Sequence, residues 1–348
     1  MKHGGDLLSY QHLYDGELLD FSSNINPFGY PKILDEALAQ GASALTAYPD
    51  RLYRRLRRAI ADYLDCAPDE VLLGNGSVDI LDFFCREAVR VVICAPCFTE
   101  YRERAKLADT PVVSLPLPPD FIVSAELFEG QLSAGDIVLL GHPNNPTGRM
   151  IPKAARLKLQ QLTLECGAIL VLDEAFIEFC ETDDDSIQLF RDAPNVCVIR
   201  AATKFFGLPG LRLGYAWAHP RIARAHERVA LPWRINALAD CAGQVIFHDA
   251  DYIQRAKAFM AQERRFFAAA LSNMPAIQVY PTDANFLLFR LLTMTENSLF
   301  EALARRGFVI RKASTFDGLD EHYVRIAIKD HASNQRLLAA LQEILRQN

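Results

Sequence analysis

The chain reads Ile137-Val-Leu-Leu-Gly-His-Pro-Asn-Asn-Pro-Thr-Gly148, then Ile169-Leu-Val-Leu-Asp-Glu-Ala-Phe176, and then Val196-Cys-Val-Ile-Arg-Ala-Ala-Thr-Lys204. Each segment begins with a short apolar run and ends in polar side chains. Short apolar runs separated by amphipathic segments are typical of parallel strands that are joined by helices. Ligands bind beyond the carboxyl ends of such strands, so we expect an amide, a carboxylate and a lysine to meet in one crevice.

The same alternation continues from residue 70 to residue 217, which predicts an α/β domain with a largely parallel sheet. Further strands are predicted at 71–73, 91–94 and 213–217. The first of them runs into Gly74-Asn-Gly76-Ser77, so a glycine turn is expected at the same crevice.

The pattern changes after about residue 240, where it predicts a smaller α+β domain. A long helix is predicted over about 251–271, and helices are predicted near 297–305 and 333–345. Strands are predicted at 277–280, 285–290, 308–311 and 323–328. We therefore expect an N-terminal arm that forms part of the small domain (1–47), a large domain that contains the crevice (48–240) and a small C-terminal domain (241–348).

The composition excludes several classes of function. Lys and Arg number 37 against 43 Asp and Glu, which gives a net charge of −6 and a pI of about 5.8. Such a chain has no basic field for nucleic acid or an anionic membrane. No apolar run reaches the roughly 18 residues that span a bilayer, and the N-terminal residues do not resemble a signal peptide. We expect a cytoplasmic protein, eight free cysteines and no metal, because Cys94-Ala-Pro-Cys97 lacks a second ligand pair.

Taken singly, the polar residues at the strand ends have ordinary explanations. Gly74-Asn-Gly76 fits a tight turn, or a dinucleotide fingerprint that lacks its third glycine, which disfavours a nicotinamide dehydrogenase. The Asn-Asn-Pro-Thr-Gly segment fits a plain turn. Asp173 could be a helix cap or an ion-pair partner, and Lys204 could be a surface lysine. Only the combination is specific.

In this order the segments, together with Thr203-Lys-Phe-Phe-Gly-Leu-Pro-Gly-Leu-Arg-Leu-Gly-Tyr215, resemble the fold-type I pyridoxal-phosphate enzymes of the aspartate aminotransferase superfamily. The resemblance covers essentially the whole chain. It implies a mostly parallel sheet in the large domain and a smaller α+β domain. It also implies that Lys204 holds pyridoxal 5′-phosphate (PLP) as a Schiff base, while Asp173 keeps the pyridine nitrogen protonated.

The resemblance assigns further residues to the cofactor. The backbone of Gly76, Ser77 and Val78 at a helix start would bind its phosphate, and Arg212 matches the phosphate arginine of the family. Many relatives have Ser three residues before the lysine, where this chain has Ala201, so Thr203 is predicted to replace that contact. Three more positions match by resemblance: Asn145 for the phenolic oxygen, Phe98 for stacking on the ring, and Tyr48 for reaching the phosphate from a partner subunit. A homodimer with a shared active site is therefore expected.

Substrate contacts are also predicted from the resemblance. Arg325, in Val324-Arg-Ile-Ala-Ile328, matches the arginine that binds the substrate α-carboxylate in a bidentate pair. Candidate ligands for a substrate phosphate are Arg311, His3, Ser23 and Asn24. An edge-strand arginine and a plain loop are the structural alternatives for this group.

Two groups in the superfamily resemble the chain most, and both act on substrates with a terminal phosphate. They are the histidinol-phosphate aminotransferases and the L-threonine-O-3-phosphate decarboxylases of cobalamin biosynthesis. Asp20-Phe-Ser-Ser-Asn-Ile-Asn-Pro27 and Leu231-Pro-Trp-Arg-Ile-Asn-Ala-Leu-Ala239 are similar to the decarboxylases, and Phe176 stands where many aminotransferases have Tyr. We therefore predict a PLP-dependent carboxy-lyase. The alternative is an aminotransferase of the histidinol-phosphate type, and a PLP-sensing regulatory module is disfavoured because no DNA-binding segment is visible.

Overall fold

A computed structural model of the chain describes residues 4–346, apart from the side chains of residues 40 and 42. The strands of this described part are β1 (Leu19–Asp20), β2 (Val71–Asn75), β3 (Arg90–Ala95), β4 (Val112–Pro116), β5 (Asp136–Gly141), β6 (Ile169–Asp173), β7 (Val196–Ala201), β8 (Leu213–Ala218), β9 (Ile277–Val279), β10 (Phe286–Leu291), β11 (Phe308–Val309), β12 (Arg311–Lys312) and β13 (Tyr323–Ala327). Its helices are α1 (Ile33–Gly41), α2 (Arg54–Leu64), α3 (Ser77–Glu87), α4 (Thr99–Leu107), α5 (Lys153–Cys166), α6 (Ser186–Leu189), α7 (Pro220–Val229), α8 (Ala237–Gly243), α9 (Ala250–Ser272), α10 (Glu296–Ala304) and α11 (His331–Arg346).

The larger sheet has seven strands in the order β2-β8-β7-β6-β5-β3-β4. Only β8 runs antiparallel to its neighbours, so β2, β5, β6 and β7 point the same way and their carboxyl ends lie at one edge. Strands β5, β7 and β8 are buried along their whole length, as expected for a sheet that is covered on both faces. The predicted α/β fold with a mostly parallel sheet is confirmed.

Strand β4 was not predicted from the sequence. It lies at the edge of the large sheet, where it pairs with β3 alone. Ser114 and Pro116 are exposed, and proline is tolerated in a strand chiefly at such edges. An edge strand of this composition lacks the continuous apolar run that marked the others.

A second, antiparallel sheet has four strands in the order β12-β13-β10-β9. The strand predicted over 308–311 was wrong as a single element, because Ile310 separates β11 from β12 and the two pair with different partners. β11 pairs in parallel with β1, whereas β12 pairs with β13. The β1–β11 pair joins the N-terminal arm to the C-terminal part of the chain. The boundaries near residues 47 and 240 remain a prediction.

Helix ends follow local side-chain chemistry. The Asp249 carboxylate accepts a hydrogen bond of 3.0 Å from the backbone N–H of Tyr252 at the start of α9, which satisfies a donor that the helix leaves open. Helix α5 ends at Gly167, whose φ of +71° is a backbone conformation that favours glycine. No helix among residues 4–346 is long and apolar enough to cross a membrane.

One hydrophobic core connects the two sheets. Leu172 of β6, Phe286 of β10 and Ile326 of β13 belong to the same buried cluster. The rings of Phe176 and Phe286 meet edge to face with their centroids 5.0 Å apart, a favoured aromatic geometry. The carboxyl edge of the large sheet is thereby held against the face of the smaller one.

Candidate active site

A cavity of about 190 Å³ lies where the carboxyl ends of β5, β6 and β7 approach β12 and β13. Nine residues that were predicted from the sequence line it: Ser23, Asn24, Ser77, Phe98, Asn145, Asp173, Lys204, Arg311 and Arg325. Five others lie outside the lining: Tyr48, Gly76, Val78, Thr203 and Arg212. His3 lies outside the described residues. Polar groups from distant parts of the sequence thus converge on one cavity.

Asp173 is the last residue of β6 and is buried. Burial raises the pKa of its carboxyl group, and hydrogen bonds from two donors oppose this effect. The Tyr101 hydroxyl donates to Oδ2 over 2.9 Å, and the Ala175 backbone N–H donates to Oδ1 over 3.1 Å. A buried carboxylate with two donors can remain ionised and can pair with a cationic ring nitrogen.

Lys204 follows β7 and lines the cavity. Burial and the neighbouring positive charges of Arg325 and Arg212 lower the pKa of its amino group to about 8. The amino nitrogen of Lys204 lies 5.9 Å from the centroid of the Phe176 ring. The backbone carbonyl of Lys204 accepts a 3.0 Å hydrogen bond from the Asn26 N–H. Because only the neutral amine is nucleophilic, the low pKa prepares Lys204 to react with an aldehyde.

A cradle for a phosphate group lies at the start of α3. Gly76 has a φ of +81°, and a Cβ atom there would lie 2.2 Å from Nη2 of Arg212. Arg212 itself has a φ of +60°, an uncommon conformation for a residue with a side chain. At Gly214 a Cβ would lie 2.3 Å from the backbone nitrogen of Ser77. Gly76 therefore leaves room for the Arg212 guanidinium at the helix start, and Gly214 lets β8 pack closely against the backbone there.

Arg325 lies on β13 and is only 5 % exposed. Its Nη1 donates to Oδ1 of Asn145 over 2.6 Å, and its Nη2 donates to the Ser22 carbonyl over 2.6 Å. The Nε atom is buried and has no hydrogen-bond partner among the described residues. Burial and the nearby charge of Arg311 lower the pKa of the Arg325 guanidinium to about 9.

Arg311 lies directly opposite Arg325 in the register of β12 and β13. It is 2 % exposed, and burial lowers the pKa of its guanidinium to about 10. Its Nη2 donates to the Thr315 hydroxyl over 2.7 Å. Both guanidiniums lie near the Phe316 ring, at 4.9 Å for Arg311 and 6.0 Å for Arg325. Two buried positive charges side by side create a strong preference for an anion in the cavity.

The loop after β1 forms the opposite wall. The Asp20 carboxylate accepts hydrogen bonds from the Ser22 hydroxyl over 2.6 Å and from the Ser22 backbone N–H over 2.8 Å. The Ser23 hydroxyl also donates to Asp20, so it must rotate before it can donate to a ligand. The side-chain oxygen of Asn24 is buried and lacks a partner among the described residues.

Tyr48 lies on the surface, outside the cavity. Its ring is 79 % exposed and stacks on Trp233 with the centroids 4.5 Å apart. Thr203 is half-buried beside Lys204, and Val78 is the second residue of α3.

Three lining residues that make contacts in the site were missed by the sequence reasoning. Tyr101 lies three residues after Phe98, and this spacing places residues on one face of a helix, which could have drawn attention to it. Phe316 lies in a loop between β12 and β13, and no local pattern marks it. Ser22 also went unnoticed, because its contribution is a backbone carbonyl.

The donor set fits pyridoxal phosphate. Each part of that molecule has one partner among these residues. The partners are the amine of Lys204 with its lowered pKa, the buried carboxyl group of Asp173, the ring of Phe98 and the guanidinium of Arg212 at a helix start. Among residues 4–346, no group of His, Cys, Asp and Glu side chains is arranged to hold a metal ion.

Comparisons with known proteins agree with this geometry. Residues 16–341 match the family described as aminotransferase class I and II. The threonine-phosphate decarboxylase of Salmonella typhimurium is 34 % identical over 355 residues, which cover 99 % of this chain and 96 % of that protein. The histidinol-phosphate aminotransferase from Clostridium acetobutylicum superposes with a TM-score of 0.92 at 34 % identity, covering 95 % of this chain and all of the other. The L-threonine-O-3-phosphate decarboxylase from Porphyromonas gingivalis gives a TM-score of 0.83 at 26 % identity, covering 94 % and 99 %.

Proposed function

The chain belongs to the aminotransferase class I and II family, and on that premise we propose that it decarboxylates L-threonine O-3-phosphate to (R)-1-amino-2-propanol O-2-phosphate and CO2 for cobalamin biosynthesis. It is an enzyme of the PLP-dependent, aminotransferase-like group, and its cofactor is pyridoxal 5′-phosphate. When bound, this cofactor withdraws electrons from the substrate α-carbon while its ring nitrogen is protonated.

Each cofactor contact has a candidate in the cavity or in the residues beside it. Lys204 would bind the aldehyde carbon, and Asp173 would pair with the ring nitrogen. Arg212 and the start of α3 would hold the phosphate, with Thr203 beside the lysine. Phe98 would stack on the ring, and Asn145 would donate to the phenolic oxygen through its amide nitrogen while its Oδ1 accepts from Arg325.

The observation that carries the substrate assignment is the paired burial of Arg311 and Arg325. Phosphothreonine has two anionic ends, the α-carboxylate and the phosphate, and the cavity offers one guanidinium for each. Arg325, whose Nη1 donates to Asn145, would bind the carboxylate in a bidentate pair. Arg311, with Asn24 and Ser23 across the cavity, would take the phosphate, and His3 is a further candidate for that end.

Holding the substrate at both ends would fix which bond at Cα breaks. Arg325 would hold the substrate carboxylate and Arg311 its phosphate, and this orientation would select the bond between Cα and the carboxylate carbon for cleavage. The bound cofactor would supply the sink for the electron pair that the departing CO2 leaves behind. Lys204 would return a proton to Cα, because its lowered pKa allows it to exchange a proton near neutral pH. The step requires no second substrate.

Phe176 is a position at which the chain resembles the decarboxylases more than the aminotransferases. Many aminotransferases have tyrosine at this position, and its phenol would donate a hydrogen bond to the cofactor oxygen. Phe176 instead offers Lys204 only an aromatic face. The loop 20–27 and the segment 231–239 also resemble the decarboxylases.

The second candidate function is an aminotransferase of the histidinol-phosphate type. It is favoured by the higher TM-score to the aminotransferase from Clostridium acetobutylicum, 0.92 against 0.83 for the decarboxylase from Porphyromonas gingivalis. Both functions use nearly every residue described above. Sequence identity and fold therefore support the family, and an activity assay is needed to distinguish the decarboxylase from the aminotransferase.

Incubation of the holoenzyme with L-threonine O-3-phosphate separates the two candidates. The proposal predicts release of CO2 and of an amino alcohol phosphate in the absence of any keto acid, with the Lys204→Ala variant as the inactive control. Amino transfer to 2-oxoglutarate from phosphothreonine or histidinol phosphate, without CO2, would establish the alternative. Phosphoserine in the same assay tests whether the methyl group of the substrate is recognised.

We also propose a cytoplasmic homodimer in which Tyr48 of each subunit reaches the cofactor phosphate of the other. The Tyr48–Trp233 stack supports this proposal, because both rings are exposed on the single subunit. Large aromatic side chains are enriched on surfaces that a partner subunit covers. Sedimentation analysis and cofactor affinity test it: Tyr48→Phe should bind the cofactor more weakly while remaining a dimer. A monomer, or unchanged affinity, would refute it.

A further inference from the structure

Tyr101 occupies a position that the cofactor contacts leave unexplained. It is the third residue of α4, its side chain is 1 % exposed, and it lines the cavity. Its hydroxyl donates to Oδ2 of Asp173 over 2.9 Å, and its ring meets the Phe98 ring edge to face at 5.6 Å. One side chain therefore contacts both the carboxyl group and the aromatic ring that would flank the cofactor.

We propose that Tyr101 is a positioning residue for the cofactor: its hydroxyl holds the Asp173 carboxyl group ionised and oriented for the cofactor's ring nitrogen. The inference rests on the cofactor and on the role of Asp173 in the proposed function, but not on the identity of the substrate. It deepens that function by naming the group that keeps the ring nitrogen positively charged.

The physical reason lies in the competition for one proton between the ring nitrogen and Asp173. Burial alone raises the pKa of the Asp173 carboxyl group, which would move the proton from the nitrogen to the carboxylate and weaken the electron sink. A donor to the carboxylate lowers its affinity for the proton. The pKa of the Tyr101 phenol is itself raised well above its usual value by burial and by Asp173, so the hydroxyl stays a donor.

The chain offers a matched control. Tyr215 is fully buried and its hydroxyl donates to Glu178, another buried carboxylate, over 3.2 Å. Neither Tyr215 nor Glu178 lines the cavity. Tyr215→Phe therefore removes the same chemical group from the same kind of partner, away from the cofactor.

The experiment measures the ¹⁵N chemical shift of the ring nitrogen in protein loaded with ¹⁵N-labelled PLP, without substrate. In Tyr101→Phe the equilibrium between protonated nitrogen and protonated Asp173 should move about tenfold or more towards Asp173, the effect of losing one hydrogen bond to a charged group. Tyr215→Phe should keep the wild-type shift. The proposal would be overturned if the ring nitrogen were as fully protonated in Tyr101→Phe as in the wild type. It would also be overturned if Tyr215→Phe changed the ¹⁵N shift as much as Tyr101→Phe does.

A second measurement uses the apoprotein, so it is independent of cofactor loading. In protein with ¹³C-labelled aspartate carboxyl groups, the resonance of Asp173, identified by its loss in Asp173→Asn, should titrate about one pH unit higher in Tyr101→Phe than in the wild type. An unchanged titration would refute the inference. Failure of the proposed function would show differently, as wild-type protein that binds no PLP or releases no CO2.

Discussion

Replacing Arg311 with glutamine should separate recognition of the substrate phosphate from recognition of the carboxylate. The guanidinium is buried beside Arg325, so it would meet a phosphate with little competition from water. Loss of a hydrogen bond to a charged group costs about 1.5–3 kcal/mol, which is about a ten- to hundredfold rise in the dissociation constant. The same change removes the positive charge that lowers the Arg325 pKa, so binding of the carboxylate should not weaken.

The assay is a titration of the holoenzyme with L-threonine O-3-phosphate and with L-threonine, followed by the absorbance of the cofactor. Arg311→Gln should bind phosphothreonine ten- to hundredfold more weakly and bind threonine as the wild type does. Arg290→Gln is the control, because Arg290 also packs on an aromatic ring of the same sheet, 5.9 Å from Tyr323, but does not line the cavity. An equal loss for both ligands in Arg311→Gln would refute the assignment of the phosphate to this arginine.

Two further predictions concern the cofactor cradle and the lysine. Gly76→Ala places a methyl group against Arg212 in a left-handed backbone conformation, so it should weaken cofactor affinity and lower the stability of the apoprotein by about 1–3 kcal/mol. PLP titration measures the affinity and denaturant unfolding measures the stability. Wild-type values in both assays would contradict the assignment of the phosphate cradle. Folding lowers the pKa of Lys204 from 10.5 to about 8, because the folded protein buries the charged amine. This burial reduces the free energy of unfolding at low pH, and the reduction disappears as the pH rises from about 8 to 10.5. The apoprotein of Lys204→Met should therefore be more stable than the wild type below pH 8, and the difference should shrink across that window in urea unfolding; a constant difference would mean that the pKa is not lowered.

The sequence predicted the parts of this site that depend on strand order alone. Asn145, Asp173 and Lys204 each follow a strongly apolar run, and parallel strands bring such ends together regardless of side-chain detail. The fold class followed from the same runs. The resemblance to PLP enzymes added Arg325 and Arg311 without indicating how they face each other.

The remaining features depend on long-range register, which no local pattern carries. Arg311 faces Arg325 only because β12 is separate from β11 and pairs with β13. The Tyr101–Asp173 hydrogen bond joins residues 72 positions apart in the sequence. The Ser22 carbonyl reaches Arg325 across 303 positions, and a backbone acceptor leaves no signal in residue type.

Reduction of the holoenzyme with borohydride, followed by peptide mapping, tests the covalent attachment on which the site depends. The pyridoxyl group should be found on the peptide that contains Lys204, and Lys204→Ala should retain no reduced adduct. An adduct on another lysine in the wild-type protein, or a persistent adduct in Lys204→Ala, would contradict the assignment of Lys204 as the lysine that holds the cofactor.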